Sequence, residues 1–165
     1  AVDFSDYSLP VLYQAIDLCQ AFDADMILVN VINQRDVDAI RYVEPLHLEN
    51  VSVQDYIHRH TQERTTRMSR LLDQVAWDES RTKILIKVGV PFEQLIQAAR
   101  ETKAQMVVMG PKGRTNLSSV FFGTTAEKMF RHCPVSLLSV RGLDTAGRTR
   151  STGTKHSASL QGEHA

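Results

Sequence analysis

Residues 25–32, DMILVNVI, form an unbroken apolar run rich in branched side chains. A strand with one face in water alternates apolar and polar residues. A strand covered on both faces does not, and that pattern belongs to parallel sheets. The run therefore predicts a buried strand with helices on either side. Two similar runs follow, TKILIKVG at 82–89 and QMVVMG at 105–110. CPVSLLSVR at 133–141 reads as another, with Pro134 at its entry, where a missing N–H does least harm. AVDFS at 1–5 reads as the end of a first strand that has lost its leading residues, with Asp3 and Ser5 as helix-start residues.

The segments between these runs carry helical spacing. Leu9, Leu12, Ala15, Ile16, Cys19 and Phe22 recur along one face of 8–22. Over 53–75, Tyr56, Ile57, Met68, Leu71, Leu72 and Val75 form the expected buried stripe, and HRHTQERTTR is mostly a solvated face. Pro91 marks a helix start, followed by Phe92, Leu95, Ile96 and Ala99. Gly123 to Arg131 reads as a fourth helix. The mixed stretch 33–50 contains Pro45 and reads as a long connection with one short helical turn. Strands alternating with helices imply right-handed crossovers and an α/β fold, an open parallel five-stranded sheet with helices on both faces. Beyond Arg141 the chain is rich in Gly, Ser and Thr. Residues 142–165 are expected to be a disordered tail on a domain spanning 1–141.

Composition narrows the function classes. Of 165 residues, 42% are hydrophobic and 23% charged, an ordinary soluble balance. With 19 basic and 19 acidic residues, the chain lacks the basic excess of a dedicated nucleic-acid binder. Cys19 and Cys133 fit no zinc spacing, and a reduced, cytoplasmic compartment is expected. No apolar run approaches the ~20 residues of a membrane span.

The chemistry concentrates in 106–125, MVVMGPKGRTNLSSVFFGTT. Open α/β sheets bind ligands at the carboxyl ends of strands, where strand order reverses. Two such ends qualify, at Asp3 and at Gly110. Gly110, Gly113 and Gly123 follow one another at fixed spacing, and Thr124 comes next. Glycine permits positive φ and close approach of a ligand. Free N–H groups in such a loop make an anion-binding nest, and a helix start adds its own N–H groups and dipole. With the hydroxyls of Thr124 and Thr125, these parts suit a di- or triphosphate. Chance produces the spacing in roughly one chain in 150 of this length. The polar half of RTNLSSVFF, 114–122, suits a flap, which Val120, Phe121 and Phe122 would anchor to the core or to a second subunit.

This G-x2-G-x9-G-[ST] block resembles the nucleotide-binding signature of ATP-binding universal stress proteins. The resemblance extends over residues 1 to about 141, through AVDFSDYS, LVNVI and the Cys-Pro-Val before the last strand. It implies a Rossmann-like sheet of the adenine nucleotide alpha hydrolase type, in strand order 3-2-1-4-5. It implies a site for ATP, with Mg²⁺. Asp3 and Val31 would border adenine and ribose, with Ala1, Val2, Ser5 and Met109 beside them. Gly110 would lie against the ribose. Gly113, Gly123, Thr124 and Thr125 would hold the phosphates, with Lys112 and Arg114 in reach. The resemblance further implies a homodimer through the last strands, Pro134 to Val140. The protein would act as a nucleotide-dependent stress-response or signalling module for a protein partner that the sequence does not name. The loop from Gly113 to Gly123 would order around phosphates, which shifts a population of states.

Catalytic machinery is sparse. GxxxxGK[ST], GxSxG and HExxH are all missing, and no base or clustered carboxylates stand out. Such a site holds phosphates rather than turning them over, so no catalytic residue and no protein-built metal site is expected. Two alternatives remain open: a dimeric interaction protein of the same fold that binds no nucleotide, and a slow ATPase or adenylate-transferring relative. Other candidates have plainer readings. His58 and His60 are two apart on a helix and face different directions. His132 suits the helix C-terminal dipole. Cys133, Met106 and Met109 read as packing residues, and Asp36, Asp38 and Glu44 as solvated.

Overall fold

In the computed structural model, which describes residues 1–43, 52–111 and 123–141, the opening apolar run is strand β1, Met26–Asn33. It lies parallel to β2, Thr82–Gly89, with Met26 opposite Thr82 and Asn33 opposite Gly89. A second parallel pair joins β3, Met106–Met109, to β4, Ser136–Ser139. The helices among the described residues are α1 Ser8–Phe22, α2 Gln34–Val43, α3 Val53–Leu72, α4 Pro91–Glu101 and α5 Thr124–His132. A 3₁₀ turn, Glu79–Arg81, leads into β2.

Alternation along the strands sorts the core into two layers. Met26 and Leu28 of β1 pack on α1 and α3, together with Ile84, Ile86, Val108 and Leu138 from the other strands. The intervening Ile27, Val29 and Val31 pack on α4 and α5, with Leu85, Val107, Met109 and Leu137. Both pairs of strands are thus covered on both faces by the same helices, as the apolar run predicts. Leu12, Ile32, Met68 and Met129 are fully buried, and each contributes about 1.5–3 kcal/mol of burial free energy.

Residues 1–3 bridge the two pairs. The Val2 N–H donates to the Val29 carbonyl at 3.0 Å, and the Ala1 amino group donates to the Val108 carbonyl at 2.7 Å. No strand is assigned to residues 1–3, which lie between β1 and β3 through these two bonds, and Phe4, with φ 64°, turns the chain away after them. Asp3 and Ser5 do not cap α1 as expected. Tyr7 is its N-cap and makes no side-chain cap bond. The Asp3 carboxylate instead accepts the Ser5 N–H and hydroxyl, at 3.1 and 2.6 Å, and this closes the turn at Phe4.

The stretch after β1 also differs from expectation. It is a ten-residue helix rather than a connection with one turn. The Asn33 side chain accepts the Arg35 N–H at its start, Gln34 donates to Asp38 one turn on, and Val37 is buried. Pro45 and Glu44 lie outside the described residues. Asp36 is exposed and Asp38 half-buried. Met109 is core, whereas Met106 is 42% exposed. Cys133 is half-buried and packs on the α4–α5 layer.

Candidate functional site

The carboxyl ends of the first segment, β1 and β3 meet at one edge. The bonds Ala1–Val108 and Val2–Val29 fix the relative level of three chains. Two residues beyond those bonds come Asp3, Gly110 and Val31. Three residues expected around the nucleoside are therefore brought to the same edge. Val2 and Met109 are buried beneath it, and Ala1, Asp3, Ser5, Val31 and Gly110 are half-buried.

The side expected to take phosphates lies at the start of α5. The Gly123 N–H donates to the Pro111 carbonyl at 2.9 Å, which clasps the helix start to the residue that follows Gly110. Gly123 is the N-cap, with no side-chain cap bond. The first N–H groups of a helix have no partners within the helix, so they point outward with the positive end of its dipole. Thr124 is exposed and Thr125 half-buried at this end. Gly123 has φ −73° and ψ 154°, so positive φ is not the reason for glycine here. Lys112, Gly113 and Arg114, like Val120, Phe121 and Phe122, lie outside the described residues.

One site-edge residue escaped the sequence reading. Arg64, assigned to a solvated face, is 7% exposed. Its Nη1 donates to Asn30 Oδ1 at 2.6 Å and to the Val31 carbonyl at 3.1 Å. The signal lay in the spacing. Arg64, Met68 and Leu72 are four apart, and all three are the buried residues of α3. One turn on, the Arg67 guanidinium lies over the Phe4 ring at 4.0 Å from its centroid.

Other features lie apart from this edge. A shallow groove lined by Glu93, Ile96, Gln97, Arg100, Glu101 and His132 runs along α4 to the far end of α5 and shares no residue with the site. His58 pairs with Gln62, and His60 packs at a tilt against the Tyr56 ring and faces Glu63. Among the described residues no group of three His, Cys, Asp or Glu is assembled for a metal ion. No described helix is long and apolar enough to cross a membrane.

Residues 1–141 match the model of the universal stress protein family. The chain is 26% identical over 136 residues to universal stress protein MJ0531 of Methanocaldococcus jannaschii, covering 81% of this chain and 75% of that protein. It is 26% identical over 145 residues to universal stress protein Sll1388 of Synechocystis sp., covering 86% and 94%. Among solved structures, that of hypothetical protein MJ0577 superposes with a TM-score of 0.68 at 22% identity, covering 84% of this chain and 90% of the other. Universal stress protein UspA of Lactobacillus plantarum superposes with a TM-score of 0.62 at 17% identity, covering 85% and 93%. At these identities the superpositions establish a shared Rossmann-like α/β fold.

Proposed function

The chain belongs to the universal stress protein family, and from that premise we propose that it binds ATP at the carboxyl edge of its sheet. The observation that carries this reading is the clasp between Pro111 and Gly123. It sets an uncapped helix start beside the strand end at Gly110, and the first segment lies against β3 two residues earlier. Phosphates suit the helix start, where Gly123 leaves room and Thr124 and Thr125 offer hydroxyls. Gly113, Lys112 and Arg114 complete the phosphate contacts in the sequence motif. The nucleoside takes the edge formed by Asp3, Val31 and Gly110. ATP would carry Mg²⁺ on its own phosphates.

The same reading takes residues 1–3 as the middle of a five-stranded sheet in the order 3-2-1-4-5, supported by their hydrogen bonds to Val29 and Val108. It makes the protein a nucleotide-dependent stress-response module in the cytoplasm that holds ATP with at most slow hydrolysis. It makes Pro134 to Val140 the seam of a homodimer, since β4 pairs with β3 along one edge only among the described residues. The test is to purify the protein, denature it and identify the nucleotide released, then to titrate ATP into nucleotide-free protein by calorimetry. Recovered adenine nucleotide and saturable binding are expected. Absence of both would refute the reading. Steady phosphate release well above background, lost in Asp3→Ala, would show an ATPase instead.

A further inference from the structure

The groove along α4 lies apart from the nucleotide edge and carries a symmetry of its own. Glu93, Ile96, Gln97 and Arg100 recur at helical spacing, so they form one stripe along the helix. Glu93, Gln97 and Arg100 are exposed, and Ile96 is half-buried. The neighbouring charges are engaged within the chain. Glu101 takes Lys87 and Gln97, and Lys128 lies over the Phe92 ring at 4.5 Å from its centroid. The side chains of Glu93 and Arg100 have no ion-pair partner among the described residues. Nor do they pair with each other. Two turns, about 10.5 Å of helix, separate them, whereas side chains meet at three or four residues apart.

A second copy of the same helix supplies the missing partners. Two antiparallel helices related by a two-fold axis set each residue opposite the one that lies equally far from the axis. With the axis between Ile96 and Gln97, Glu93 of one copy faces Arg100 of the other, and this happens at both ends. Ile96 of each copy comes to the middle, and the groove beside the stripe takes the ridge of the opposing helix.

We propose that α4 is a self-association surface, on which a second copy of this chain packs antiparallel across a two-fold axis between Ile96 and Gln97. The proposal does not depend on nucleotide binding. It also concerns a different surface from the Pro134 to Val140 seam, because α4 packs on β1 and β2. Used together, the two surfaces give assemblies larger than a dimer. The helix has eleven residues and the stripe is mostly polar. Contacts well below about 1,200 Å² are weak, so a dissociation constant above about 1 μM is expected.

Glu93 in the first turn and Arg100 in the last turn also suit the dipole of α4 itself. Charge exchange separates that local role from the interface. Sedimentation velocity over a range of concentrations compares the full chain as wild type, Glu93→Arg, Arg100→Glu and the double variant, with thermal unfolding as the check on each fold. Either single reversal sets like charges opposite each other at both ends and should raise the dissociation constant about tenfold or more. The double variant restores both pairs with their signs exchanged, and should return to within about threefold of wild type. A role confined to the dipole gives another pattern: Tm falls most in the double variant, and association does not change. A wild type that stays monomeric at about 500 μM overturns the proposal. So does association that neither reversal weakens, which belongs to another surface, and so does a double variant no better than the single ones. Should a reversal not fold, the wild type decides through salt. Its dissociation constant should rise severalfold between about 50 and 500 mM salt, and a flat response overturns the proposal.

Discussion

Gly123→Ser separates a glycine kept for a ligand from one kept for the backbone. Gly123 has φ −73° and ψ 154°, a region that every residue enters freely. Serine therefore fits without backbone strain. It is also the better N-cap, because its hydroxyl accepts the N–H of Thr125 or Ala126, the second and third residues of α5. The gain over glycine is a few tenths of a kcal/mol, so about 1 °C in Tm for a chain of this size. The same hydroxyl occupies an N–H that the phosphates are expected to use. Losing one hydrogen bond to a charged group costs about 1.5–3 kcal/mol, or roughly 10- to 150-fold in affinity. Thermal unfolding without ligand, then calorimetry with ATP and with adenosine, measures both effects. The expected result is an unchanged or slightly raised Tm, a large loss of ATP affinity and unchanged adenosine binding. If ATP affinity survives in a stable Gly123→Ser protein, phosphates do not use the start of α5.

Three further outcomes follow from the described contacts. Met68→Ala empties a fully buried site between α3 and the sheet and should cost about 2–5 kcal/mol in urea unfolding; a loss under about 1 kcal/mol would contradict that packing. Gly89→Ala meets φ +146° and sets a Cβ 2.9 Å from the Gln94 side chain, so a destabilisation above about 1 kcal/mol is expected, and a neutral result would refute the strain. The Lys87 hydrogen bond, then that of Gln97, holds the Glu101 carboxyl below the usual carboxylate range. The native state then binds fewer protons there than the unfolded chain. This contribution is present above the unfolded pKa and is lost as pH falls through the folded one. Glu101→Gln should flatten the acid limb of the urea midpoint against pH, and an unchanged slope would show that the pair does not matter.

Much of the fold was legible because its signals are local. The unbroken apolar runs gave β1 and β2, and helical spacing gave α1, α3 and α4 to within a few residues. α2 was not legible, since Val37 is its one buried residue among the described side chains and charges surround it. At the site, the glycine spacing singled out Gly110 and Gly123, and the structure clasps their neighbourhood together. The reason first given for glycine does not hold at Gly123, whose φ is ordinary.

By itself the sequence determined most of the helices and strands and which loop carries the glycine pattern, because hydrophobic period and glycine spacing act over a few residues. Which strand ends meet was decided by the tertiary structure, through bonds such as Ala1 to Val108, which are 107 residues apart. It also decided that Arg64 is buried. A polar residue on an apolar stripe has no predictable fate until its acceptors are known, and Asn30 and Val31 reach it only once α3 packs on β1.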